Sequence, residues 1–131
     1  MIKVAQPGGL VEKDQYDGAG QPAVAYLTDG GGDTSWADAT NVAGDNVLEQ
    51  QENSYDGNGN VLLVTTRQRF HDETATGALG DPTTGPRARV SYAAAWYDLA
   101  DRPTAAVDVG TNGGTAWTRP PACRRGRTRP W

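Results

Sequence analysis

The chain has 131 residues, of which 37% are apolar, with 17 glycines and a formal net charge of −4. Its single cysteine, Cys123, excludes an internal disulfide and a cysteine-built metal site, and no apolar run approaches the roughly 20 residues of a membrane helix. The charge is divided: residues 1–118 carry 7 basic against 16 acidic side chains, whereas Arg119, Arg124, Arg125, Arg127 and Arg129 follow with no acid among them, so the body disfavours nucleic acid and anionic membrane as partners.

Residues 1–10 form a leading segment without the apolar stretch of a signal peptide, so export would depend on a signal lying elsewhere. The first turn is Tyr16-Asp17-Gly18-Ala19-Gly20-Gln21, and Ala23–Thr28 leads away from it as a strand. A glycine turn, Asp29-Gly30-Gly31-Gly32-Asp33, precedes Trp36. Val47–Tyr55 is a polar strand entering a second turn, Tyr55-Asp56-Gly57-Asn58-Gly59-Asn60, in which Asn58-Gly59 is a strong hairpin signal. Val61–Phe70 is β-branched and then alternates. His71–Pro86, with three glycines and two prolines, reads as a flexible loop insertion running to residue 87. Arg89–Tyr97 alternates with Val90, Tyr92 and Ala94 on one face and Ser91, Ala93, Ala95 and Tyr97 on the other. It enters the third turn, Tyr97-Asp98-Leu99-Ala100-Asp101-Arg102; a glycine-rich turn at 110–114 and Trp117 follow. No window sustains a helical period, so the expected fold is all-β, built from consecutive antiparallel hairpins.

The turns share one chemistry. An aspartate after the tyrosine accepts backbone N–H groups two residues on, and a residue able to take positive φ closes the turn: Gly20, Gly59 and, in the third copy, Asp101. The tyrosine closes the strand and offers a cross-strand partner worth about 0.2–1 kcal/mol. The tyrosines lie 39 and then 42 residues apart, and Tyr16–Trp36 agrees with Tyr97–Trp117 at 8 of 21 aligned positions, including Pro22/Pro103 and Trp36/Trp117. A period in this range marks a repeat array, with about three units across residues 11–118.

Tyr-Asp-x-x-Gly followed by Arg, Asn or Gln, recurring amid Thr-rich strands, resembles the RHS/YD-repeat family. The middle copy resembles a regular member, and the copies ending in Gln21 and carrying Asp101 resemble degenerate ones. The resemblance implies a piece of a large bacterial surface or secreted protein whose hairpin ribbon curves into a β-shell around an effector. It implies a structural role for Tyr16, Asp17, Gly20, Tyr55, Asp56, Gly59, Tyr97, Asp98, Trp36 and Trp117, with neighbouring repeats, an enclosed effector or a surface glycan as partners. Neither a self-cleaving core nor a toxin segment can be placed on the chain; Asp81-Pro82 lacks the glycine that opens the family's core.

Other candidates carry less chemistry. Asp56–Asn60 imitates positions 1, 3 and 5 of a calcium loop, but Val61 and Arg67 stand where glycine and glutamate belong. His71-Asp72-Glu73 is the one place where a base neighbours carboxylates, without a nucleophile nearby. No enzyme activity, cofactor or metal is therefore expected. Trp36, Trp96 and Trp117 could line a sugar-binding face of an extracellular module, or pack hairpin against hairpin. Residues 119–131 read as a disordered or off-frame basic tail.

Overall fold

The computed structural model describes residues 2–5, as backbone alone, 10–29 and 42–120. Trp36, the glycines at 30–32, Asp33 and tail residues 121–131 lie outside the described residues. Among the described residues seven strands follow in chain order: β1 (Ile2–Ala5), β2 (Val11–Tyr16), β3 (Pro22–Thr28), β4 (Val47–Tyr55), β5 (Val61–Arg69), β6 (Ala88–Tyr97) and β7 (Pro103–Gly110). They form one antiparallel sheet whose spatial order is also the chain order. The fold is all-β and hairpin-based, and the one helical piece among the described residues is a 3₁₀ turn at Asn112–Gly114. The leading segment is not a bare connector, because β1 pairs with β2 from Ile2↔Asp14 to Ala5↔Val11.

Strand direction alternates, so the β2–β3, β4–β5 and β6–β7 turns all lie at one end of the sheet. The longer connections return at the other end. Register then sorts the side chains. Lys13, Tyr26, Gln50, Arg67 and Val90 form one row across β2 to β6, and Asp14, Ala25, Gln51, Thr66 and Ser91 form the adjacent row on the opposite face. The first row is largely buried; the second stays half-buried or exposed.

Two loops bury that first face. Val42, ahead of β4, and Leu79, from the β5–β6 connection, pack with Tyr26, Val47 and Ala88, and Val24 joins from the side. Each such aliphatic burial contributes about 1.5–3 kcal/mol. The face is unusually polar for a core, and most of its polar groups are paired. Lys13 Nζ meets Asp45 Oδ2 at 2.8 Å with both side chains fully buried, and Thr28 Oγ1 donates to the same oxygen at 3.0 Å. Leu79 N–H donates to the Gln50 side-chain oxygen at 2.8 Å. Arg67 pairs with Glu52 and donates to Gly80 O at 2.8 Å.

The connection at 70–87 differs from the flexible insertion expected of it. Glu73 organises it by accepting the N–H groups of Thr74 and Ala75 at 3.0 Å and those of Arg87, backbone and Nε, at 2.8 and 2.9 Å. Asp81 Oδ1 accepts the N–H groups of Thr83 and Thr84 at 2.9 and 2.6 Å. Gly80 has no room for a side chain, since a Cβ there would stand 2.3 Å from Thr84 O. Gly80 therefore serves a close approach of the chain to itself, where composition alone reads looseness.

The tail boundary shifts as well. Arg119 and Pro120 are packed: the Arg119 guanidinium lies 4.9 Å from the Trp96 ring centroid and donates to Ala95 O, while Trp96 Nε1 donates to Pro120 O at 3.0 Å.

Candidate functional site

The three tyrosine–aspartate turns are superimposable in their bonding. In each, the aspartate N–H donates to the carbonyl four residues on, at 2.9 Å to Gln21, 3.0 Å to Asn60 and 3.0 Å to Arg102. One carboxylate oxygen accepts two backbone N–H groups. These come from Ala19 and Gln21 at Asp17, from Asn58 and Asn60 at Asp56, and from Ala100 and Arg102 at Asp98, all within 2.8–3.0 Å. The closing residue has positive φ in every copy: 81° at Gly20, 88° at Gly59 and 62° at Asp101. Asp101 adopts the left-handed region that aspartate tolerates better than most residues.

At Asp56 and Asp98 these bonds favour the ionised carboxylate. The Asn60 side chain and backbone hold the Asp56 carboxyl below its ordinary value, and the Arg102 N–H does the same at Asp98. A carboxylate occupied in this way is a poor general base and a poor metal ligand. Among the described residues no three His, Cys, Asp or Glu side chains converge as a metal site.

The tyrosines do more than close strands. A register shift precedes each one, at Gln15/Tyr16, Ser54/Tyr55 and Trp96/Tyr97, and such irregularities re-aim a side chain. The Tyr55 hydroxyl donates to Pro22 O at 2.7 Å and the Tyr97 hydroxyl to Val61 O at 3.0 Å. Each acceptor is the first residue of the second strand in the preceding hairpin, six positions past that hairpin's tyrosine. Tyr16, 41% exposed, makes no such bond among the described residues.

The turns also touch one another. Asp101 Oδ1 accepts Asn58 Nδ2 and Asn60 Nδ2, both at 3.0 Å, joining the second turn to the third. Gln21 Nε2 lies beside Gly59, where a Cβ would stand 3.0 Å from it. The motif residues Tyr16, Asp17, Gly20, Tyr55, Asp56, Gly59, Tyr97 and Asp98 thus line one end of the sheet as a ladder. Reading the sequence misses Pro22, Val61, Asn58, Asn60 and Asp101 as the joining residues; the Pro22/Pro103 identity was the available signal.

The remaining candidates separate. His71 is exposed, and the Glu73 beside it is committed to Arg87 and to backbone N–H groups, which hold its carboxyl at about 2, the Ala75 N–H contributing most. Trp96 is buried at 6% exposure beneath Arg119 and Pro120. Trp117 packs on Tyr92 with ring centroids 6.1 Å apart, and Tyr92 lines a cavity of about 240 Å³ with Asp81, Thr83, Thr111 and Thr115. No helix among the described residues is long and apolar enough to cross a membrane.

No family model matches the chain, and no similar protein emerges among curated sequences or solved structures. The residues themselves therefore carry the functional argument.

Proposed function

We propose that this chain is a non-catalytic structural repeat segment, of the RHS/YD type that its turns resemble, which forms part of a β-hairpin wall enclosing or presenting an effector at the cell surface. The observation that carries this reading is the tyrosine staple. It joins each hairpin to the one before it by the same bond, Tyr55 to Pro22 and Tyr97 to Val61. A unit that spends its motif on the adjacent unit behaves as masonry: its energetics are nearest-neighbour, and the array grows sideways.

The test is digestion of intact producing cells with a protease that does not enter them. The chain is expected to be cut from outside, while a segment enclosed by its wall stays protected until the sheet is unfolded. A chain untouched until the cells are lysed overturns the reading.

One observation favours a second reading, a carbohydrate-binding module. Tyr92, backed by Trp117, presents an aromatic ring beside Asp81 and three threonines in the cavity described above, the mixture of apolar face and polar groups that a sugar ring fits. Trp96 takes no part in it. Saturable glycan-induced change in tryptophan fluorescence, abolished by Tyr92→Ala in a chain that still folds, supports this reading; no change with a broad sugar panel removes it.

A further inference from the structure

We infer that the outer edge of β7 is a docking site for an antiparallel strand that ends in a tyrosine–aspartate turn, with the Pro103 carbonyl receiving that tyrosine's hydroxyl. The inference rests on the scaffold reading above and names the partner it requires.

The staple occurs twice, and the chain offers its acceptor position a third time. The acceptor stands six residues past the tyrosine of the accepting hairpin: Pro22 past Tyr16 and Val61 past Tyr55. The corresponding position past Tyr97 is Pro103, the first residue of β7, as Pro22 is the first of β3. Both are proline, which is tolerated at a strand's first residue because no N–H is demanded there, and which leaves the carbonyl as the only backbone group to use. Pro22 O already receives two donors, Tyr55 Oη at 2.7 Å and Asn53 Nδ2 at 3.2 Å. Pro103 is exposed and stands opposite Tyr97, as Pro22 stands opposite Tyr16.

The strand behind that carbonyl is equally available. Among the described residues β7 pairs with β6 and with no other strand. Thr104, Ala106, Val107 and Asp108 are exposed. Edges meant to stay single are commonly guarded by lysine or inward-pointing charge. Residues 103–110 contain no basic residue, and Asp108 turns its carboxylate to the Gly110 N–H at 2.9 Å. The third turn also keeps a contact surface, since Asp101 receives the second turn on one flank only. The fitting partner is therefore a strand of eight or nine residues, like β4, closed by Tyr-Asp.

A synthetic peptide reproducing residues 47–69, the chain's own middle hairpin, serves as the probe against the full chain labelled for amide NMR. Saturable shifts concentrated at 103–110 are expected. A Tyr55→Phe peptide should bind about five-fold more weakly, one hydrogen bond of about 1 kcal/mol. Absence of saturable shifts there, shifts over β1 or the open face instead, or equal affinity of the two peptides overturns the inference. The reading beneath it is judged separately by Tyr97→Phe within the chain. An inert β7 edge in a chain destabilised by Tyr97→Phe refutes the docking site alone, whereas an indifferent Tyr97→Phe refutes the staple as well.

Discussion

The Tyr97 hydroxyl donates to the Val61 carbonyl at 3.0 Å across 36 residues of chain, and Tyr55 repeats that bond to Pro22 at 2.7 Å across 33. Removing a hydroxyl while keeping the ring isolates the bond. Tyr97→Phe and Tyr55→Phe should each lower the unfolding free energy by about 1 kcal/mol in urea titrations. Tyr16→Phe should change it by no more than about 0.5 kcal/mol, as for an exposed position whose hydroxyl makes no staple among the described residues. Equal effects at all three positions would mean that the hydroxyls do not staple the hairpins.

Within the second turn, Gly57 and Gly59 respond differently to the same substitution. Gly59 has φ 88° and its Cβ would press on Gln21 Nε2 at 3.0 Å, whereas Gly57 has nothing within 4 Å and no positive φ. Gly59→Ala is expected to cost about 1–2 kcal/mol, from the left-handed backbone alone. Gly57→Ala should stay within about 0.5 kcal/mol. Thermal unfolding of the two variants side by side decides the matter, and a neutral Gly59→Ala would contradict the turn geometry.

The chain should be acid-labile in a defined window. The Glu73 carboxyl is held at about 2 by the N–H groups of Ala75 and Arg87 and by the Arg87 side chain, and Asp56, Asp81 and Asp98 are lowered by their turn N–H and side-chain donors. A group depressed in the folded state stabilises it fully above its ordinary value, near 4, and loses that contribution as pH falls through the folded value. Melting temperature should therefore be flat from about pH 7 to 5 and fall steadily from about 4.5 toward 2. Glu73→Gln should flatten the lower part of that fall, and an unchanged slope would show that Glu73 is not its source.

The strands and turns were legible in the sequence because their causes are local. Val47–Tyr55 and Val61–Arg69 announce themselves by β-branching and alternation, and the turn bonds of Asp17, Asp56 and Asp98 run to the four residues that follow. What covers the sheet was not legible. Leu79 reaches the core because its N–H finds Gln50, 29 residues away in sequence, and Arg87 closes its loop on Glu73 across 14. The stapling acceptors Pro22 and Val61 use main-chain oxygen, which every residue carries and no side-chain pattern reveals. Arg119 looked like part of a basic tail because charge composition says nothing of the ring beneath it.

The Lys13–Asp45 pair gives the sharpest test of how the covered face is held. Both side chains are fully buried, 2.8 Å apart, and Thr28 adds a bond to the shared oxygen. Asp45 Oδ1 is buried with no hydrogen-bond partner among the described residues, so the carboxylate depends heavily on Lys13. Lys13→Met keeps the length of the side chain and removes the charge, leaving that carboxylate uncompensated; a loss of about 3–5 kcal/mol is expected, a large share of what a domain of this size has. The double variant Lys13→Met/Asp45→Leu removes both charges and should recover most of the loss, because buried ion pairs exchange for apolar pairs near neutrality. Urea unfolding of the two variants measures the difference directly. If the double variant is no more stable than the single one, the cost lies in lost packing, and the ion pair is not what fixes the connection before β4 to the sheet.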